Sequence, residues 1–204
     1  METYTYTPIL PLRKFIKNIW IVESDNSITI EQMIPFRCMH LVYVENNGVS
    51  YRGKSEIQFK KNDIFITGQV TQPYDLDYQS NTRLIGFGFY PHTAHLFIQD
   101  SAFQFTDNAY HLTTLFSCSD ILETLTEQTN IQVKVYLLQQ FILNRISKKT
   151  HIDNKQKYLT YLLKDMYKNN GHFDITKAQK DLNISKRYIQ FLFKENSRCQ
   201  EQLQ

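Results

Sequence analysis

A chain of 204 residues, 42% hydrophobic and 14% aromatic, can bury a core as one large domain or two small ones, which excludes wholesale disorder. Six Gly and 5 Pro exclude collagenous and Pro- or Gly-rich low-complexity architectures. The net charge of +3 conceals an asymmetry: residues 148–204 hold 12 Lys and Arg against 6 Asp and Glu, while residues 1–147 are mildly acidic, as expected when one end meets a polyanion.

No run approaches the ~18 apolar residues of a membrane-spanning helix. The opening Met-Glu-Thr-Tyr-Thr-Tyr lacks the basic and apolar regions of a secretory signal, so the expected location is the cytoplasm, with no membrane partner. Cys38, Cys118 and Cys199 are odd in number and far apart, which argues against a disulfide framework or a zinc site.

Residues 5–90 read as β. Trp20 to Glu23, His40 to Val44, Ile64 to Thr67 and Leu84 to Tyr90 are short, β-branched or aromatic, and separated by polar turns. The clearest turns are Glu45 to Gly48, Lys60 to Asp63 and Gln79 to Asn81. With no helical crossover between the strands, the pattern predicts an antiparallel sandwich or barrel. Pro91 ends the last strong strand.

Beyond it the period shifts toward 3.6. His92 to Gln99 forms a short helix, and Ser119-Asp120 caps a second, with Glu123 at the capping-box position and Ile121, Leu122 and Leu125 as its apolar residues. From Ile131 to Ile146 a longer helix carries an apolar stripe of Ile131, Val135, Leu138 and Ile142. Leu137 and Phe141 make a second row, so two faces need cover, and the expectation is a homodimer through this segment. The polar, basic stretch Ser147 to His151 is the expected boundary. Asp153 then caps a helix with Gln156 at its third position and Leu159, Leu162, Leu163 and Met166 on its buried face, ending at Asn169-Asn170-Gly171.

Residues 174–195 read as helix, tight turn, helix. Asp174 caps the first helix, Asn183 turns in the left-handed region, and Ser185 caps the second. Ala178, Leu182, Ile184, Ile189, Leu192 and Phe193 supply the contact between them. This is the helix-turn-helix plan, whose second helix enters the major groove of double-stranded DNA. On that helix Arg187 and Gln190 are suited to base edges, and Lys186 and Lys194 to phosphates.

At Ile184-Ser185, Tyr188-Ile189-Gln190 and Leu192-Phe193-Lys194 the sequence resembles the first helix-turn-helix of the AraC family of bacterial transcription regulators. Pro11-Leu12 before Ile19-Trp20, with Phe89-Tyr90-Pro91 after Gly86, is similar to the cupin-like sensing domain of that family. The resemblance implies an α+β chain: a cupin-like antiparallel β-barrel at 1–110 that senses a small-molecule effector, a helical linker and dimerisation segment at 111–147, and a partial DNA-binding domain at 148–204 with its helix-turn-helix at 175–195. Three departures stand out. Gln179 replaces a small residue at the close approach of the helices, which implies looser packing; Phe191 occupies a recognition-helix position that is often polar; and no second motif follows before Gln204, with Asn196-Ser197-Arg198 where the family has Gly. The last admits the alternative of a truncated sensing and dimerisation module that does not bind DNA unaided.

A cupin-like barrel also invites a metal-enzyme reading, which needs two or three His and a carboxylate on neighbouring strands. His40, His92, His95, His111, His151 and His172 are scattered without a His-x-His, and His92 with His95 reads as a surface pair. No phosphate loop, nucleophile elbow or Cys/His pair is present, so the expectation is a non-enzyme without metal or cofactor. Tyr43, Tyr51, Tyr74, Tyr78, Phe87 and Phe89 either line an apolar ligand pocket or fill the core, and alternation places Phe87 and Phe89 opposite Gly86, Gly88 and Tyr90.

Overall fold

In a computed structural model, which describes residues 1–36, 38–53, 56–98, 102–148 and 154–196, the chain is α+β. Its strands are β1 (Glu2–Tyr6), β2 (Ile16–Glu23), β3 (Thr29–Met33), β4 (His40–Asn46), β5 (Val49–Arg52), β6 (Glu56–Phe59), β7 (Ile64–Thr67), β8 (Tyr74–Tyr78), β9 (Arg83–Phe89) and β10 (Ala109–His111). They form a six-stranded sheet of order β1-β2-β9-β4-β7-β10 and a four-stranded sheet of order β3-β8-β5-β6, with every pairing antiparallel. Each turn read from the sequence contains an Asn in the left-handed region: Asn47 at φ 51, Asn62 at φ 69 and Asn81 at φ 55. Asn tolerates that conformation at little cost, which fixes where the strands reverse.

The larger sheet is the middle of three layers, buried on both faces. Ile19, Ile21, Leu41, Tyr43, Ile66, Ile85, Phe87 and Phe89 point toward the helices. Val22, Val42, Val44, Phe65 and Leu84 point the other way, against Tyr51, Leu76 and Tyr78 of the smaller sheet. Two-sided burial explains why these strands read as continuous apolar runs and not as strict alternation. It also settles the face of the β9 alternation: Phe87 and Phe89 lie under the helices, and Gly86 and Gly88 face the space between the sheets. The Trp20 ring lies so close over Gly86 that a Cβ there would overlap it. The six aromatic side chains therefore do not line one space, since Tyr51, Tyr74 and Tyr78 belong to the inter-sheet cluster and Tyr43, Phe87 and Phe89 to the helix-side cluster.

Helices α1 (Ala94–Ile98), α2 (Ser119–Glu127) and α3 (Ile131–Ser147) cover the outer face of the larger sheet. The capping box at Ser119-Asp120 does not form. Cys118 is the N-cap and makes no side-chain cap bond, and Asp120 sits inside the first turn, where its charge still favours the helix N-terminus. Asn130 caps α3 through its side chain, which accepts from the amides of Gln132 and Val133.

In α3 the stripe of Val135, Leu138 and Ile142 is buried as the sequence implied. The second row packs in part within the chain: Phe141 lies 6.0 Å from Phe97 and 6.4 Å from Phe116 between ring centroids, and Leu137 packs on the same cluster, both remaining half-buried. Polar anchors lock the helix in place. Buried Lys134 pairs with buried Glu45 at 3.0 Å, Glu45 also meets Arg83 at 3.1 Å, the Ile9 amide donates to Gln139 Oε1 at 2.8 Å, and Arg145 Nε donates to the Phe97 carbonyl at 2.8 Å.

The expected boundary at Ser147 to His151 falls largely outside the described residues, as do Asp153 and the side chain of Gln156. Helices α4 (Asn154–Lys168), α5 (Ile175–Leu182) and α6 (Lys186–Asn196) then share a separate cluster of Leu159, Leu162, Met166, Ala178, Ile189, Leu192 and Phe193. The stop after α4 works as its sequence suggests, with Asn170 at φ 52, Gly171 at φ 92 and the Gly171 amide donating to the Met166 carbonyl at 2.8 Å.

Candidate nucleic-acid interface

Local chemistry fixes the angle between α5 and α6. Asp174 Oδ1 accepts from the amides of Thr176 and Lys177 at 2.9 and 3.0 Å, satisfying two of the orphan donors that open α5. Asn183, at φ 51 and ψ 46, reverses the chain in a single residue. Ser185 Oγ then accepts from the Tyr188 amide at 3.1 Å and starts α6. The turn buries Ala178, Ile189, Leu192 and Phe193, with Leu182 and Ile184 partly buried against them. Ala178 is the small residue sunk in this contact, and Gln179 is half-buried.

Burying Ile189, Leu192 and Phe193 forces the opposite face of α6 outward. Lys186, Arg187, Gln190 and Phe191 are exposed there. Arg187, Gln190, Phe191 and Lys194 are spaced i, i+3, i+4 and i+7, one stripe of a helix. Lys194 falls within α6, and its side chain lies outside the described residues. Phe191, 46% exposed, was read from the sequence only as a departure, yet it sits at the middle of this stripe. Its ring stacks on Tyr188 at 5.9 Å, Tyr188 meets Tyr158 edge-on at 6.2 Å, and Lys155 Nζ of α4 lies 5.1 Å from the Phe191 ring centre. Lys177 and Lys180 of α5 are exposed too.

On the inter-sheet side Asn18, Trp20, Phe36 and His40 are only partly buried. The Phe36 and His40 rings stack at 4.8 Å, and Trp20 meets His40 edge-on at 5.9 Å. Burial, aided by the nearby positive charge of Lys17, pushes His40 down to about 4, so its imidazole is neutral at pH 7. Register places Thr67 beside His40 on the same face, and Thr67 Oγ1 is buried without a hydrogen-bond partner. Burial also pushes the Tyr51 hydroxyl up to about 12, with Asp107 reinforcing it. His40 was visible in the sequence, but nothing there marked its face.

His92 and His95 are not a surface pair. They are 7% and 8% exposed and lie against α4, where His95 Nε2 is 3.5 Å from Thr160 Oγ1 and Tyr90 meets Tyr167 edge-on at 5.3 Å. His92 Nδ1 is buried without a hydrogen-bond partner, and burial, with Lys164 nearby, pushes its ring down to about 4. Among the described residues no three His, Cys, Asp or Glu side chains cluster closely enough to hold a metal ion. Nor is any described helix long and apolar enough to cross a membrane.

A family model described as a domain of unknown function (DUF6597) matches residues 4–111. No curated protein matches. Among solved structures, ToxT from Vibrio cholerae O395 is similar with 8% identity and a TM-score of 0.49, over 90% of this chain and 75% of that one. The AraC-like transcriptional activator CuxR has 10% identity and a TM-score of 0.37, over 94% of this chain and 79% of that one. The ethanolamine utilization protein EutQ from Salmonella typhimurium LT2 has 8% identity and a TM-score of 0.34, over 43% of this chain and 67% of that one.

Proposed function

The chain belongs to the family described as a domain of unknown function (DUF6597), and from that premise we propose that it is a transcription regulator of AraC type. In this reading residues 1–110 sense, 111–147 link and dimerise, and 148–204 contact double-stranded DNA, without catalysis and without a resident metal or cofactor. The observation that carries it is the built turn between α5 and α6. Three capping and turning residues, Asp174, Asn183 and Ser185, hold a helix whose first two turns expose Lys186, Arg187 and Gln190. A helix presented this way offers a guanidinium and an amide to base edges and an ammonium to phosphate.

In this reading the effector binds beside the partly buried Asn18, Trp20, Phe36 and His40, where a neutral imidazole and the unpartnered Thr67 hydroxyl offer hydrogen bonds next to aromatic rings. A homodimer in this reading uses the most exposed apolar residues of α3, Val133 and Tyr136 at 39% and 53% exposure, since Val135, Leu138 and Ile142 are buried within the chain. The testing experiment is selection of bound sequences from a random duplex pool by the whole chain at low salt. Enrichment of a common site supports the proposal. Failure to retain any duplex rejects it in favour of a sensing protein that does not bind DNA unaided.

A further inference from the structure

Resting on the reading of α6 as a recognition helix, we propose that Phe191 is a specificity-determining residue that reads the 5-methyl group of thymine in the major groove. Three observations lead there. Phe191 is 46% exposed although its neighbours Leu192 and Phe193 are fully buried, so the ring is kept out of the core by the helical register and not for lack of a core. It is in contact on its helix and across to α4: Tyr188 stacks on it with a 20° interplanar angle, Tyr188 meets Tyr158 edge-on, and Lys155 lies over the ring. It stands between the exposed side chains of Arg187 and Gln190 on one side and the backbone position of Lys194 on the other.

An exposed aromatic ring with these contacts suits a small apolar target. The cations near it, Lys155 beside the ring and Arg187 one turn earlier on the same stripe, favour a polyanion as the occupant over an apolar protein surface. The major groove offers one such group, the thymine methyl, which is a recognised partner of Phe, while the guanidinium and amide beside it suit G and A. The α6 stripe then reads T next to a purine, and the aromatic stack preorganises the contact, so little rotamer entropy is lost on binding.

The experiment uses a duplex selected from the random pool by the whole chain, resynthesised with deoxyuridine in place of each thymidine in turn. This exchange removes one methyl group and leaves every hydrogen-bonding edge intact. Loss of one methyl contact corresponds to about a fourfold weakening. The expected result is that weakening at one position for the wild type, no dependence on the methyl for Phe191→Ser, and retained dependence for Phe191→Leu. Circular dichroism verifies that the substituted helix folds. A wild type that binds the selected site but is indifferent to uracil at every position overturns the methyl reading and leaves DNA binding standing. A wild type that retains no duplex overturns both.

Discussion

Replacing Leu138 by Ala separates two meanings of the apolar α3 stripe. Leu138 is fully buried, with Val135 and Ile142 of its own helix, in the cluster on the outer face of the larger sheet. Truncating a Leu in such a place costs the lost transfer energy and the cavity left behind, about 3 to 5 kcal/mol. The better helix propensity of Ala returns only a few tenths. For a chain of this size each kcal/mol moves Tm by about 2 to 4 °C, so the expected drop is roughly 10 °C. Phe141→Ala, at a half-buried ring between Phe97 and Phe116, should cost about 2 kcal/mol. The assay is thermal unfolding by circular dichroism, with light scattering at the same protein concentration. Both variants should melt early and keep the wild-type oligomeric state. A Leu138→Ala protein with an unchanged melting temperature that dissociates would refute the placement of this row in the core.

The Glu45 carboxylate is shared by Lys134 at 3.0 Å and Arg83 at 3.1 Å, and Glu45→Ala leaves Lys134 buried without a counter-charge. The expected loss is about 3 to 5 kcal/mol in guanidinium titration, and a loss below about 1 kcal/mol would show that Lys134 finds water. His40 and His92 are both pushed down to about 4 from an unfolded value near 6.5, so the folded state binds fewer protons. Their contribution is complete above pH 6.5 and is lost as the pH falls through that window, on the order of 3 kcal/mol for buried His92. Unfolding titrations between pH 7 and pH 4 should show this slope and a shallower one for His92→Phe; equal slopes would place His92 in water. Elemental analysis of purified protein should return no stoichiometric iron, zinc or manganese, and about one metal per chain would overturn the non-enzymatic reading.

Local chemistry was the legible part of the sequence. The turn asparagines, the Asp174, Asn183 and Ser185 signals and the α3 period all act through neighbours within a few residues, and all appear as read. Residues 5–90 read as β, but β1, β3, β5, β6 and β8 are not individually delimited by the sequence and β10 falls beyond that region, because these strands are short and partly polar and are held by pairing with other strands. The capping box failed because helix entry is decided by where the preceding turn ends, and the Leu122 amide bonds back to the Cys118 carbonyl, one residue earlier than the polar pair suggested.

The second α3 row demanded cover, but period alone does not say whose. Phe97 and Phe116, 44 and 25 residues before Phe141, supply part of it. His92 and His95 were misjudged as exposed for a related reason. Their cover is Thr160 and Tyr167 on α4, and nothing near them in the chain announces that contact. At the candidate interface Lys186, Arg187 and Gln190 were legible from the cap and the period, whereas the contacts around Phe191 depend on Tyr158 and Lys155 from another helix.

A salt titration of binding to the selected duplex, for the wild type, Arg187→Ala and Lys186→Ala, tests the DNA-reading claim most directly. If α6 enters a major groove, Arg187→Ala costs about 1 to 3 kcal/mol on the selected site and little on random sequence. Lys186→Ala then weakens both duplexes alike and flattens the log-log salt slope by about one. Two variants indistinguishable from each other, or a wild type that binds no duplex even at low salt, would contradict the account.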